Sequence, residues 1–310
     1  MIVKIGTRGS RLSLIQTDSV IDMLRRIGSD LEFQKVIMKT AGDVFREKSL
    51  YSFGAKGIFE REINLAVIEG RVDFAVHSLK DLPSEEYDEL GLAAIPKRES
   101  PNDVLISNSR KTFTELKANN IVGTSSVRRM MQIKLHRPDL RVVRLRGNVE
   151  TRLRKAANGE FDAVVLAEAG VKRLGLQDKV SERLPLNMFV PAPGQGALVA
   201  VARKDDDKML RLLSKIDDRE SRNECVVERI VASKLSGGCQ VPMGIIAHQT
   251  GNSLSAYSAL YSIDGRKKIA CNIEGKSDNA SDVAERLANK LLEFGASGII
   301  DEWRKTKVNW

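Results

Sequence analysis

Residues 121–166 read IVGTSSVRRMMQIKLHRPDLRVVRLRGNVETRLRKAANGEFDAVVL. Three short apolar runs, Ile121–Thr124, Leu140–Leu145 and Ala163–Leu166, alternate with two stretches of helical spacing. Ser125 or Ser126 is placed to cap the first helix, which runs to about His136, and Asn148 to cap the second, which ends at Gly159. A third helix follows to Leu174. Strands and helices in strict alternation predict a parallel sheet with helices on both faces.

The same grammar extends toward the N-terminus. Val3–Gly6, Leu31–Lys39 and Phe74–His77 read as strands, and Ser13–Gly28 and Ile58–Glu69 as helices, the second stopped by Gly70. Pro191-Ala-Pro-Gly-Gln-Gly196 reads as a crossover, after which Leu198–Ala202 returns as a strand to the first sheet. From Arg219 the pattern changes. A helix to about Leu235 precedes strands near Gly244–His248, Leu254–Ser262 and Lys268–Glu274, then a helix over Ala280–Phe294. The tail after Asp301 is polar and is expected to fray. The expected domains are residues 1–97 with 197–215, residues 101–192, and residues 218–310. The expected class is α/β: two doubly wound domains forming a hinged cleft, as in type II periplasmic binding proteins, plus a small α+β C-terminal domain.

The chain has 310 residues, 42% hydrophobic and 29% charged, as in ordinary globular proteins. Its three cysteines are too few for a disulfide framework, and no Cys/His spacing indicates a metal site. The opening MIVKIGTRGS has no apolar core followed by a cleavage site, and no run approaches a membrane span. A cytoplasmic protein without a membrane partner is expected. The net charge of +9 is concentrated: Gly123–Arg173 holds twelve basic residues against five acidic ones, and arginine dominates. Arginine's planar fork matches carboxylate and phosphate.

The informative residues fall just after predicted strands, where doubly wound folds bind ligands. Thr7-Arg-Gly-Ser10 follows the first strand, and His77-Ser-Leu-Lys-Asp81 follows the short strand at Phe74. Asp81 would stand beside Lys80 at a strand end; the set reads either as a solvated turn or as an acid that stabilises positive charge on a substrate. Gly123-Thr-Ser-Ser-Val-Arg-Arg129 puts hydroxyls and backbone N–H groups at a helix start, an anion-binding arrangement. Arg144-Leu-Arg-Gly-Asn-Val-Glu-Thr-Arg152 and Lys172-Arg173 repeat the theme. Three cationic strand ends in one domain are hard to read as a solvated face. Gly54-Ala-Lys-Gly-Ile-Phe59 is a lid or a surface loop; no Walker or dinucleotide-binding spacing is present. Cys239, between Gly237-Gly238 and Gln240-Val-Pro242, sits on a tight turn. It reads either as a working thiol or as a loop cysteine without a role.

HSLKD, GTSSVRR, LRGNVETR, LAEAGVKRLG, PAPGQGA and GGCQVP together resemble the porphobilinogen deaminase family, also called hydroxymethylbilane synthases, from Thr7 to at least Gly244. The resemblance implies an enzyme that joins four porphobilinogens head to tail with loss of ammonia, then releases a linear hydroxymethylbilane by hydrolysis. It implies a covalent dipyrromethane cofactor, itself made from substrate, held by a thioether to Cys239. Asp81 would be the catalytic aspartate, contacting pyrrole N–H groups and stabilising the cationic azafulvene formed as ammonia leaves. Arg8, Ser10, Ser78, Lys80, Thr124, Ser126, Arg128, Arg129, Arg146, Arg152, Ala167 and Arg173 would bind substrate and cofactor. Lys56 and Phe59 would belong to a mobile loop and Gln195 to a hinge. Many members carry a further lysine where this chain has Ser52. Cys225 and Cys271 match no role and read as structural. The family is monomeric as a rule, and a monomer is expected.

Two other readings compete. A small-molecule anion-binding protein of the periplasmic-binding type shares the architecture but has no use for Cys239. A nucleic-acid binder would interleave stacking aromatics with its basic residues. Between Gly123 and Arg173 the only such ring besides His136 is Phe161, so no nucleic acid is expected.

Overall fold

Short apolar runs become buried strands where helices cover both faces, and the chain obeys that rule twice. The computed structural model describes residues 2–28, 31–38, 60–83, 87–236 and 241–306. They divide into two compact units: Met1–Glu99 with Gly196–Arg222, and Ser100–Gln195 with Asn223–Trp310.

In unit 1, β1 (Ile2–Arg8) leads into α1 (Arg11–Arg26). The Ser10 hydroxyl caps α1 by accepting the Ser13 N–H at 3.2 Å. Then come β2 (Glu32–Met38), α2 (Arg61–Ile68), β3 (Phe74–Ser78), a single 3₁₀ turn over Leu79–Asp81 and β4 (Leu90–Ala94). Val20, Ile21 and Leu24 form the apolar stripe of α1 and join Val3, Ile5, Phe74 and Val76 in one core.

Unit 2 opens with β5 (Asp103–Ser107), β6 (Ile121–Thr124), α3 (Val127–His136), β7 (Arg141–Arg144), α4 (Val149–Ala157), β8 (Ala163–Ala167), α5 (Glu168–Arg173) and β9 (Glu182–Arg183). Successive residues of β8 alternate between two cores. Ala163 and Val165 face Leu105, Val122 and Ile133, whereas Val164 and Leu166 face Val104, Leu145 and Phe161. Burial on both sides explains why these strands are continuous apolar runs.

The chain then forms β10 (Leu198–Arg203), α6 (Asp207–Leu213) and α7 (Arg219–Ser236). A three-stranded antiparallel sheet follows, β11 (Met243–Thr250), β12 (Ser253–Tyr261) and β13 (Lys268–Lys276), with α8 (Ala280–Glu293) and α9 (Ala296–Lys305). The chain is therefore α/β with a small α+β region at its C-terminal end.

Two expectations are corrected. Neither large sheet is wholly parallel. Unit 1 has the order β2-β1-β3-β10-β4 and unit 2 the order β7-β6-β8-β5-β9. In each, the strand entered after a crossing runs backward: β10 pairs antiparallel with β3, Leu198 opposite Ser78, and β5 with β8, Asp103 opposite Ala167. Nor does the tail fray at Asp301. Helix α9 continues to Lys305 because Trp303 is buried and its indole N–H donates to the Tyr261 carbonyl at 2.8 Å.

Gly244 marks the closest approach of β11 to the segment before the crossover. A Cβ there would lie 2.5 Å from Val190 Cβ and 2.6 Å from the Val190 carbonyl oxygen. Gly244→Ala is expected to lower stability by about 1–3 kcal/mol, as overpacking against backbone does. A shift in the urea midpoint at unchanged slope measures it.

Candidate active site

Parallel strands deliver their carboxyl ends to one edge of a sheet, and in unit 1 that edge holds the first group of predicted residues. β1 runs parallel to β3, so Arg8 and Ser78 end on the same side. Ser10 follows Arg8 as the cap of α1, and its hydroxyl lies 2.7 Å from that of Ser13. The Ser78 hydroxyl accepts from the Gln16 amide at 2.8 Å. Beyond it, the 3₁₀ turn projects Lys80 and Asp81, both exposed, while Leu79 anchors the turn in the core. The Leu79 N–H donates to the Ala197 carbonyl at 3.0 Å, fixing the turn to the strand pair behind it.

His77, in the same motif, does not reach this surface. It is buried, with Nε2 3.0 Å from Asn64 Oδ1. Burial, and then the positive charge of Arg8, lower its pKa to about 4. At neutral pH it is an uncharged packing residue.

In unit 2, β7, β6 and β8 run parallel and deliver three turns to one edge. After β6, the buried Thr124 hydroxyl accepts the Ser126 N–H at 3.2 Å. Ser126, rather than Ser125, caps α3, accepting the Arg129 N–H at 3.4 Å. After β7, Gly147 turns the chain at φ +120, a region that excludes most side chains. Asn148 then caps α4, accepting the Thr151 N–H at 2.8 Å. Arg152 Nε donates to the Gly147 carbonyl at 2.8 Å, which holds the arginine against the turn. Arg146, Arg152, Ala167 and Arg173 are half-buried at this edge or on the helices that leave it.

Arg128 and Arg129 behave differently from the other arginines. Both are buried, and both bind Asp103, which is fully buried at the start of β5. Arg128 Nη1 donates to Asp103 Oδ2 at 2.9 Å, and Arg129 Nη2 to Oδ1 at 2.7 Å. Gln195 Nε2 donates to the same Oδ1 at 2.8 Å and to the Pro101 carbonyl at 2.6 Å. Burial opposes the Asp103 anion, but the charges of Arg128 and then Arg129 outweigh it and hold its pKa well below the usual carboxylate range. The network continues through Gln132, whose amide nitrogen donates to the Tyr261 hydroxyl at 3.0 Å. Burial foremost pushes the Tyr261 pKa up to about 12.

Of the predicted residues, Arg8, Ser10, Ser78, Lys80 and Asp81 thus share one edge of unit 1. Thr124, Ser126, Arg128, Arg129, Arg146, Arg152, Ala167, Arg173 and Gln195 belong to unit 2. Lys56, Phe59, Ser52 and Cys239 lie outside the described residues. Cys225 and Cys271 are buried, and neither forms a disulfide among the described residues. Sequence reading missed Asp103; its signal was a single acid opening the otherwise uncharged strand DVLIS beside an arginine-rich segment.

Residues 3–211 match the family described as "Porphobilinogen deaminase, dipyromethane cofactor binding domain" and residues 223–293 the "Porphobilinogen deaminase, C-terminal domain". The chain belongs to the porphobilinogen deaminase family. It is 41% identical to the probable porphobilinogen deaminase of Nitrosopumilus maritimus over 99% of this chain and 98% of that one. It is also 41% identical to the porphobilinogen deaminase of Pelotomaculum thermopropionicum, over 98% and 97%. Among solved structures it is similar to a Bordetella pertussis BvgS VFT2 domain, at 16% identity and a TM-score of 0.41, covering 69% of this chain and 86% of that one. No helix among the described residues is long and apolar enough to cross a membrane.

The donor set of unit 2 fits a cofactor that carries acetate and propionate groups. Arg128 and Arg129 bring two cations to one carboxylate, and the buried Nε of each finds no acceptor among the described residues. The hydroxyl-capped start of α3 adds N–H groups that favour anions.

His77 gives this edge a measurable acid sensitivity. The unfolded chain protonates histidine near pH 6.5, whereas the folded chain does so near 4. Between those values the unfolded state holds more protons, so stability falls as pH falls, by ~3 kcal/mol across the window and no further below it. Unfolding of His77→Gln measured from pH 7 to 4 is expected to show a flatter dependence than the wild type; identical slopes would remove the assignment.

Proposed function

We propose that this chain is a transferase of tetrapyrrole biosynthesis that condenses four porphobilinogens stepwise, head to tail, with loss of ammonia, and releases hydroxymethylbilane by hydrolysis. The match over residues 3–211 to the cofactor-binding domain of the family carries this reading. In it, residues 1–97 with 197–215 form the domain of the catalytic acid, residues 101–192 the carboxylate-binding domain, and residues 218–310 the domain of the attachment cysteine. The enzyme works as a cytoplasmic monomer with porphobilinogen as its small-molecule partner, and with neither nucleic acid nor membrane.

Dipyrromethane, when bound through Cys239, supplies the pyrrole carbon that the first substrate joins. Asp81 provides the negative charge that stabilises the cation formed on the substrate as ammonia leaves. Its exposed place on a short anchored turn suits that role, since the carboxylate can meet a substrate without moving a strand. Arg8, Ser10, Ser78 and Lys80 orient the substrate around it. Arg128, Arg129, Arg146, Arg152 and Arg173, with Thr124, Ser126 and the Ala167 turn, hold the acetate and propionate groups as the chain grows. Gln195 steadies the crossover, and Lys56 and Phe59, by their match to the family, are assigned to substrate binding.

Asp81→Asn keeps the shape of the side chain and removes its charge. Turnover of porphobilinogen is expected to fall about a hundredfold or more with an unchanged unfolding curve, as when a charge-stabilising group is lost. Near-normal turnover would remove Asp81 from its role. Cys239→Ser is expected to yield a folded protein without covalent pyrrole and without activity; the pyrrole colour reaction on denatured protein reads this directly.

A further inference from the structure

Asp103 sits where two neighbouring arginines would otherwise diverge. Arg128 and Arg129 are adjacent on α3, and adjacent helical residues point about 100° apart around the axis. Their guanidinium groups nevertheless converge because each binds a different oxygen of the same carboxylate. Other acceptors fix the remaining freedom. Arg128 Nη1 also donates to the Val190 carbonyl at 2.6 Å and Gln132 Oε1 at 3.0 Å; Arg129 Nη1 donates to the Val165 carbonyl at 3.2 Å. The pairing of β5 with β8 puts Asp103 level with Ala167, at the carboxyl edge of the parallel strands.

A buried ion cluster is poor evidence of stability alone, because apolar residues of similar volume commonly serve as well or better. This one is unbalanced: two cations face one anion, and the buried Nε of each arginine lacks an acceptor among the described residues. The cluster is therefore arranged to present positive charge. We propose that Asp103 is a positioning residue for carboxylate recognition: it sets the spread and direction of the Arg128 and Arg129 guanidinium groups that receive the carboxylates of cofactor and substrate. This rests on the function proposed above. Asp103 itself touches neither ligand.

The test uses the full-length protein and two readouts: covalent pyrrole per chain by intact mass under denaturing conditions, before and after incubation with porphobilinogen, and the steady-state constants. Wild-type protein is expected to carry or acquire pyrrole and to turn over; if it does neither, the functional reading fails independently of Asp103. Asp103→Asn is expected to load about tenfold more slowly and to show KM raised about tenfold with kcat changed far less, the mark of lost binding common to ground and transition states. Leu140→Ala, which opens the core of unit 2 at a residue whose backbone N–H donates to the Arg137 carbonyl rather than to Asp103, controls for stability. Wild-type loading and KM in Asp103→Asn, or the same losses in Leu140→Ala, would overturn the proposal. Should Asp103→Asn fail to fold, the Arg128→Gln/Arg129→Gln background removes the uncompensated cations. There, adding Asp103→Asn is expected to cause no further loss of loading, and an additive loss would overturn the proposal.

Discussion

Taking Arg128, Arg129 and Asp103 out of water costs several kcal/mol for each ion. Unit 2 offsets part of that cost through hydrogen bonds to both carboxylate oxygens, to the Val190 and Val165 carbonyls and to Gln132 and Gln195. The surrounding structure is organised so that these acceptors meet. β5 must run backward against β8 to place Asp103 at the carboxyl edge of the sheet. α3 must begin at Ser126 to aim both arginines at it. The crossover must bring Gln195 back to Pro101 and Asp103. Glu228 fastens the same crossover from the other side: its buried carboxylate accepts the N–H of Gly194 at 2.6 Å and of Ala247 at 3.0 Å. α7 and β11, the elements before and after Cys239 in the sequence, are thereby tied to one segment.

The two units solve one problem in parallel ways. Each lays parallel strands side by side so that loops of different sequence end on one edge, and each adds a reversed strand after the chain crosses. The chemistry differs because the edges differ. Unit 1 offers an acid on a short, exposed turn, with cations and hydroxyls around it. Unit 2 offers arginines, some half-buried on helices and two locked in the interior.

Much of this was legible in the sequence because it depends on local signals. The pair Ser125-Ser126 and Asn148 announce helix starts, Gly70 and Gly159 announce stops, and the apolar runs of β3, β6 and β8 can be read without any partner. The reversed strands could not be read this way. DVLIS and LVAVAR have no periodicity that distinguishes parallel from antiparallel pairing, and their direction is set by where the crossings enter. The order of the C-terminal tail was also hidden, since it depends on one long-range contact, Trp303 with the Tyr261 carbonyl. Residues at strand ends were found because residue type and position coincide there. Asp103 was missed because its meaning depends on two arginines some 25 positions away. His77 stands in the most chemically suggestive motif of unit 1, yet burial beside Asn64 and the charge of Arg8 make it inert.

The central claim is that porphobilinogen units are added one at a time to a primer on Cys239. The most direct measurement is the mass of the intact chain quenched at intervals during reaction with limiting porphobilinogen, followed by peptide mapping. The account predicts a ladder above the two-pyrrole primer, each step equal to one porphobilinogen less one ammonia, with no more than four steps and all the added mass on the peptide containing Cys239. A single unchanging mass during turnover, or added mass on any other peptide, would contradict it.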